Sequence, residues 1–279
     1  MDARRASVSR GPQRSIEPRL VVGAMDATIV LGDTEVPRVG LGTNRLTDRP
    51  DHVGFVEDAV DAGIRHIDTA HIYSGGRSEA SIGAGLSTRG DGCVVATKGG
   101  YARGDGRPDV LRSQIDESLR RLRAETIGLY YLHRVDPNTP LEESVGALAD
   151  ARDAGKIRHV GLSNVDVDQI ERARRIVPIA AVQNHYNLSE RASERAVDHC
   201  AAEGIVFVPY FPLGGEGGRA LDGIARRHGA TKAQITLAWL LRRSPAMLPI
   251  PGTLSLAHVR ENLAALEIDL SDDDVEALR

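Results

Sequence analysis

Short apolar runs alternate along the chain with longer stretches whose apolar residues recur every three or four positions. The runs IRHIDTA, CVVATK, IGLYYLH and HVGLSN are each preceded by such a stretch: VGFVEDAVDAG, SEASIGAGL, PDVLRSQIDESLRRL and LEESVGALADARDAGK. The beat continues with DVDQIERARRI, AAVQNHYN, SERAVDHCAAEG, IVFVPYFPLG, a helical region from about Arg219 to Arg243, AMLPIPGT and LAHVRENLAAL. Runs of four to eight apolar residues read as buried strands and the 3.6-period stretches as amphipathic helices, so strand and helix alternate strictly and eight strands are expected. Ahead of them, ATIVLGDTEVPRVGLGT sets a Gly-Asp turn between two apolar segments, which predicts a small hairpin running into the first strand. Pro108 marks a helix start, Glu142 and Glu143 suit a first helical turn, and Gly155 and Gly204 stand where helices should stop.

Eight βα units leave two architectures, a closed barrel or an open doubly wound sheet. The first strand ends in Gly40, Leu41, Gly42, Thr43, Asn44 and Arg45, which lacks the third glycine of a dinucleotide-binding turn, and no Walker A motif occurs. The fold class expected is therefore α/β: a (β/α)8 TIM barrel over residues 26–279, carrying a short N-terminal β-hairpin. Residues 1–25, with Arg4, Arg5, Arg10, Arg14 and Arg19 but no apolar region behind them, are expected to form a disordered tail.

Composition narrows the function classes. A net charge of -4 over 279 residues leaves no basic field for nucleic acid. The apolar runs are too short for a bilayer, and the two cysteines, Cys93 and Cys200, form no CxxC pair, so a cytoplasmic protein with no membrane partner is expected.

In a barrel the catalytic groups come from the C-terminal ends of the strands. The second strand ends in Asp68, the third in Lys98 and the fourth in His133, with Tyr73 five residues past the aspartate. A phenol with a reference pKa of about 10 is a weak acid near neutrality unless a cation stabilises its anion, and Lys98 can be that cation. An ammonium in a dry pocket needs a counter-charge in turn, and Asp68 is the candidate. Tyr73 would then protonate a carbonyl oxygen while His133 orients it. Each residue alone has a bland reading as a turn cap, surface packing, a solvated strand end or a barrel histidine; four ionisable types converging at strand ends are costly without a function. A metal site at His66, Asp68 and His71 is the weaker reading, because Lys98 aimed at the same place repels a divalent cation. A serine hydrolase lacks its GxSxG. Trp239, inside LAWLL, reads as core.

The segments IDTAHIY, ATK, YYLH, GLSN, QNHYN, VPYFPLG and IPGT, in this order, closely resemble the aldo-keto reductases, and within them the bacterial pyridoxal reductase type. The resemblance implies a catalytic tetrad of Asp68, Tyr73, Lys98 and His133 and an NADPH-dependent reduction of a small carbonyl compound by a monomer. It also implies Ser163, Asn164 and Gln183 on the nicotinamide carboxamide, Tyr210 stacked on its ring, and Gly42, Thr43 and Asp68 beside it. Leu213 and Gly214 would meet the pyrophosphate, and Thr253, His258, Glu261 and Asn262 the adenosine end. Gly252 stands where the family often has lysine, which keeps NADH open. The short loop after the fourth strand implies an open rim suited to pyridoxal or a bulky ketone of specialised metabolism. Two other readings stand beside the reductase: a cofactor-sensing regulatory subunit with little turnover, and a lyase whose Lys98 forms a Schiff base.

Overall fold

In a computed structural model the described residues are 26–87, 92–215 and 218–278. The expected tail (1–25) lies outside them, as do residues 216–217 of the glycine-rich stretch. Strands β1 (Thr28–Leu31) and β2 (Thr34–Pro37) pair antiparallel. The turn between them puts Gly32 at φ 67°, the left-handed region where a side chain is strained. A Cβ there would lie 2.3 Å from the His159 imidazole, which itself meets Asp33 at 3.0 Å. The hairpin packs Leu31 and Val36 against Val94, Leu129 and Val206 of the barrel interior, so it plugs the barrel floor.

Seven parallel strands follow in sequence order: β3 (Leu41–Gly42), β4 (His66–Asp68), β5 (Val94–Gly99), β6 (Ile127–Leu132), β7 (Ile157–Ser163), β8 (Ile179–His185) and β9 (Val206–Tyr210). The eighth expected strand is present as segment 246–252, bonded to β9 on one side and to the first strand on the other. Phe207 N–H donates to the Ala246 carbonyl at 2.8 Å, and Gly40 and Gly42 donate to Pro249 and Pro251 at 2.9 and 3.3 Å. Toward β9 the segment also donates, from Leu248 N–H to the Phe207 carbonyl at 2.9 Å, but Pro249 and Pro251 have no N–H, so toward the first strand it only accepts and forms bridges in place of a regular ladder.

Among the described residues ten helices surround the sheet: α1 (Pro50–Asp61), α2 (Arg77–Leu86), α3 (Pro108–Leu122), α4 (Leu141–Asp153), α5 (Val167–Arg174), α6 (Glu194–Glu203), α7 (Gly218–His228), α8 (Lys232–Arg243), α9 (Leu256–Leu263) and α10 (Asp272–Ala277). Pro50 and Pro108 open α1 and α3, where a missing N–H costs nothing. The helical region expected from about 219 to 243 is two helices: Gly229, at φ 59°, ends one, and Thr231 starts the next in a capping box with Gln234. Trp239 is core, stacked on Tyr186 with the Arg191 guanidinium 4.3 Å above its ring. Both thiols are unpaired, and burial pushes Cys93 and Cys200 up to about 12.

Barrel closure also rests on one buried cation. Arg38, between β2 and β3, donates to the carbonyls of Leu241 (3.0 Å), Ser244 (2.6 Å) and Met247 (3.3 Å), which joins the first strand to the end of α8 and to the closing segment. Arg38→Met leaves those acceptors without a donor, at about 1–3 kcal/mol for each buried one. A loss of roughly 3 kcal/mol should lower the thermal midpoint, followed by circular dichroism, by about 6–12 °C; an unchanged midpoint contradicts this role.

Candidate active site

Parallel strands bring their C-terminal ends to one rim, and there the ionisable residues meet. Lys98 and Asp68 are 1% and 2% exposed, and Nζ donates to Oδ1 at 2.6 Å and to the Thr69 carbonyl at 2.7 Å. Gln183, near the end of β8, donates to the other carboxylate oxygen at 2.7 Å. Burial alone would strip the proton from Lys98; Asp68 and Tyr73 outweigh it, so the ammonium is held above its ordinary value. An amine kept protonated in this way is a poor nucleophile, which weighs against a Schiff-base role.

Tyr73 opens a short 3-10 turn, Tyr73–Gly76, and Lys98 Nζ lies 5.2 Å from its ring centroid. Burial pushes the phenol above its ordinary 10, with Lys98 pulling it back. Lys98 thus acts on the phenol in the expected direction, but desolvation is the larger effect and the net shift is upward. His133, just past β6, meets Tyr73 edge-on at 6.3 Å. Burial first, then Lys98 and Arg134, bring His133 down to about 3, so its imidazole is neutral near pH 7. Asn164 fixes the backbone there by donating to the His133 carbonyl at 3.1 Å.

The turn that carries Tyr73 is strained and braced from below. Ser74, Gly75 and Gly76 all have positive φ, at 52°, 64° and 85°. Beneath them the Arg121 guanidinium, from α3, donates to the His71 carbonyl at 3.1 Å and to Glu79 at 3.2 Å. A Cβ on Gly76 would lie 2.2 Å from the guanidinium carbon, so only glycine lets the turn descend onto it. Glu79 is fully buried and also accepts from Thr97, the residue before Lys98, at 2.7 Å. His71 therefore belongs to this brace, within 3.5 Å of Glu117, while His66 faces the Val94 carbonyl at 3.3 Å. The structure does not bring His66, Asp68 and His71 together, and among the described residues no group of three His, Cys, Asp or Glu side chains is placed to hold a metal.

Above Asp68, Tyr73, Lys98 and His133 opens a cavity of about 850 Å³ whose lining includes Gly42, Thr43, Ser163, Asn164, Gln183, Tyr210, Leu213 and Gly214. Tyr210 stacks on His185 at 5.1 Å with planes 6° apart, and its hydroxyl donates to Asn164 at 2.8 Å. Thr43 directs its hydroxyl to the Asp68 carbonyl at 2.8 Å. Glycine is required at two points of the wall: a Cβ at Gly42 would lie 2.7 Å from the Ile250 carbonyl, and one at Gly214 2.5 Å from the Asn187 amide. Thr253, His258, Glu261 and Asn262 are not in this lining; they lie at and before α9, beyond Gly252. Glu261 accepts from Thr231 at 2.5 Å and so ties α9 to the start of α8. Sequence reasoning missed Tyr101, Arg134, His185 and Phe211, which also line the cavity. The strand-end rule could have found all four, because His185 ends β8, Phe211 follows the last residue of β9, Arg134 follows His133 directly and Tyr101 stands three residues past Lys98.

Glu79→Gln should remove the buried carboxylate from Arg121 and leave it, among the described residues, only the partly exposed Glu117 as a charged partner. A loss of about 3 kcal/mol in unfolding free energy, measured by denaturant titration, is expected for a broken buried pair; a loss below about 1 kcal/mol would show that the brace is not built on charge.

The aldo/keto reductase family model matches residues 38–279. Pyridoxine 4-dehydrogenase of Escherichia coli is 36% identical over 276 residues, covering 90% of this chain and 96% of that protein. Among solved structures, a thermostable aldo-keto reductase in complex with the inhibitor epalrestat superposes with a TM-score of 0.83 at 34% identity, over 90% of this chain and 98% of its own. An aldo/keto reductase of Klebsiella pneumoniae in complex with NADP and acetate gives 0.82 at 29% identity, over 90% and 94%. With the barrel and the rim described above, these likenesses show that the chain belongs to the aldo/keto reductase family.

Proposed function

We propose that the protein reduces an aldehyde or ketone to an alcohol with NADPH, using Tyr73 as general acid and Asp68, Lys98 and His133 to complete the catalytic set. The observation that carries this reading is the buried Lys98–Asp68 pair, 2.6 Å apart, directly beneath Tyr73 and beside His133 at the cavity floor. NADPH, when bound, supplies the hydride. Tyr73 keeps its proton at neutral pH and passes it to the carbonyl oxygen as negative charge gathers there. The Lys98 ammonium stabilises the phenolate left behind. Neutral His133 donates a ring N–H to the same oxygen and holds the carbonyl in line. Asp68 acts through Lys98 by keeping it charged.

The wall fits a dinucleotide. Tyr210 has one ring face on His185 and lines the cavity, which suits stacking of a nicotinamide. Ser163, Asn164 and Gln183 would hold the carboxamide, with Gly42, Thr43 and Asp68 close by. Leu213 and Gly214 offer backbone without bulk to a pyrophosphate. Thr253, His258 and Asn262 would meet the adenosine end, with Glu261 positioning them through α8. The NADP bound in the Klebsiella pneumoniae relative supports NADPH over NADH. Pyridoxal is the first substrate to try, given the resemblance to pyridoxine 4-dehydrogenase; the exposed Ile72, Tyr101, Phe211 and Leu213 at the rim also suit a bulky ketone. The protein is expected to act as a cytoplasmic monomer. Among the described residues no helix is long and apolar enough to cross a membrane.

Three measurements test this. Titration with NADPH and NADH by protein fluorescence, then a carbonyl panel read at the nicotinamide absorbance, should show tighter NADPH binding and turnover; binding with no turnover of any carbonyl would favour the cofactor-sensing reading. Tyr73→Phe should lower kcat by about 10²–10⁴-fold with the NADPH Kd nearly unchanged, and wild-type turnover in this variant would remove Tyr73 from the mechanism. In the pH profile, the proton donor is fully available below the Tyr73 pKa and lost as pH rises through it. Because that pKa lies above 10, kcat/KM for reduction should stay level across roughly pH 6–9. A fall with a midpoint near neutrality would show that another group supplies the proton.

A further inference from the structure

At the cavity mouth, on the side of the loops that follow β5 and β6, an arginine stands without a carboxylate partner. The Arg134 guanidinium carbon lies 4.4 Å from the centroid of the Tyr101 ring, and that ring leans on His133 at 4.8 Å. Arg134 is exposed, lines the cavity and forms no ion pair among the described residues, whereas Arg121, Arg172 and Arg243 are each paired with acids. A guanidinium held over an aromatic ring is positioned without using its N–H donors, which remain able to grip a carboxylate with two parallel hydrogen bonds.

The platform beneath it is anchored. Asp136 accepts from the backbone N–H of Gly104 and Gly106, at 3.0 and 3.1 Å, and from the Thr139 hydroxyl at 3.0 Å, so the loop carrying Tyr101 is fastened to the loop carrying Arg134. Ile72, Tyr101 and Phe211 add an apolar rim, with Phe211 62% exposed. Of the other charged groups in the lining, Arg45 stands three residues past β3, and Glu190 accepts from the Ala192 N–H at 2.9 Å at the approach to α6. The field of Arg134 reaches the reacting end, where it helps keep His133 neutral.

We infer that Arg134 and Tyr101 form a recognition subsite for an anion on the substrate, so that the enzyme prefers carbonyl compounds combining an aromatic or apolar body with a carboxylate or a similar anionic group. This rests on the reductase reading above and names the substrate class of that same site. The body of the substrate would lie against Ile72 and Phe211 with its anion on Arg134 and its carbonyl between Tyr73 and His133. No new chemical step is involved; binding energy from the anion orients the carbonyl.

The test uses 4-carboxybenzaldehyde and its methyl ester, which differ in charge while keeping similar carbonyl reactivity, with NADPH and the full chain. The wild type should favour the acid in kcat/KM by at least about tenfold, mostly through KM. Arg134→Met, which keeps a stem over Tyr101, should lower kcat/KM for the acid at least about tenfold more than for the ester, with Arg134→Lys between the two. Equal kcat/KM for acid and ester in the wild type, or an equal loss for both in Arg134→Met, would overturn the proposal. Calorimetric titration of benzoate against benzamide into the NADPH complex reads the subsite without turnover. Benzoate bound more tightly, with the advantage lost in Arg134→Met, supports the subsite even where no aldehyde is reduced, an outcome that would count against the reductase reading alone. Equal binding of the two ligands overturns the subsite.

Discussion

The ion pair between Lys98 and Asp68 is the constraint around which the rim is organised. Two full charges out of water are costly, and the attraction between them repays that cost only with good geometry and every remaining donor and acceptor satisfied. Here Thr69 and Gln183 complete the set, so the pair links β4, β5 and β8 across the barrel mouth. The backbone follows the same logic. Thr69 and His71 donate to the Ala96 and Lys98 carbonyls at 2.8 and 2.9 Å, and His133 donates to Gly99 at 2.7 Å. The loop that bears Tyr73 and the residue that faces it are thereby fastened to the strand that bears Lys98.

Electrostatics over this floor is graded. A protonated lysine lies deepest, a protonated phenol and a neutral imidazole lie above it, and the guanidinium of Arg134 stands at the mouth. An oxygen gaining negative charge between Tyr73 and His133 would therefore face only donors and cations, already oriented by packing. The support behind these residues is equally determined: buried Glu79 links the strand residue Thr97 to Arg121, and Arg121 in turn supports the left-handed turn after Tyr73. Tyr73, although on a loop, is thus held by contacts of the kind that hold a residue on a strand.

Much of this was legible in the chain. The alternation of periods predicts strand and helix in order, and strand ends point to Asp68, Lys98 and His133 because a parallel barrel leaves nowhere else for such groups to converge. What escaped has physical reasons. The closing segment carries two prolines, so its strand character rests on long-range acceptors that no local pattern displays. Gly229 splits one apparent helix because a left-handed residue outweighs continuous amphipathicity. The raised phenol of Tyr73 depends on how deeply the turn is buried, which residue types do not reveal. Glu79 and Arg121 read as ordinary helix-surface charges; only the fold shows one of them sealed beneath the active turn. Arg134 was passed over because the histidine beside it drew the chemistry.

Arg38 has a bearing on how the chain is made. Its three barrel-closing partners, at Leu241, Ser244 and Met247, are each more than 200 residues away in sequence, as its separations of 203, 206 and 209 show. During synthesis the first strand therefore emerges long before these three acceptors of its buried guanidinium exist. Until the closing segment leaves the ribosome, the sheet has two open edges and an arginine with only the Asp26 carbonyl, at 3.3 Å in the finished fold, within local reach, and contacts of long sequence separation form slowly. The nascent barrel is thus a curved, unclosed sheet for most of its translation, and its final cooperativity arrives late, when the last strand meets the first.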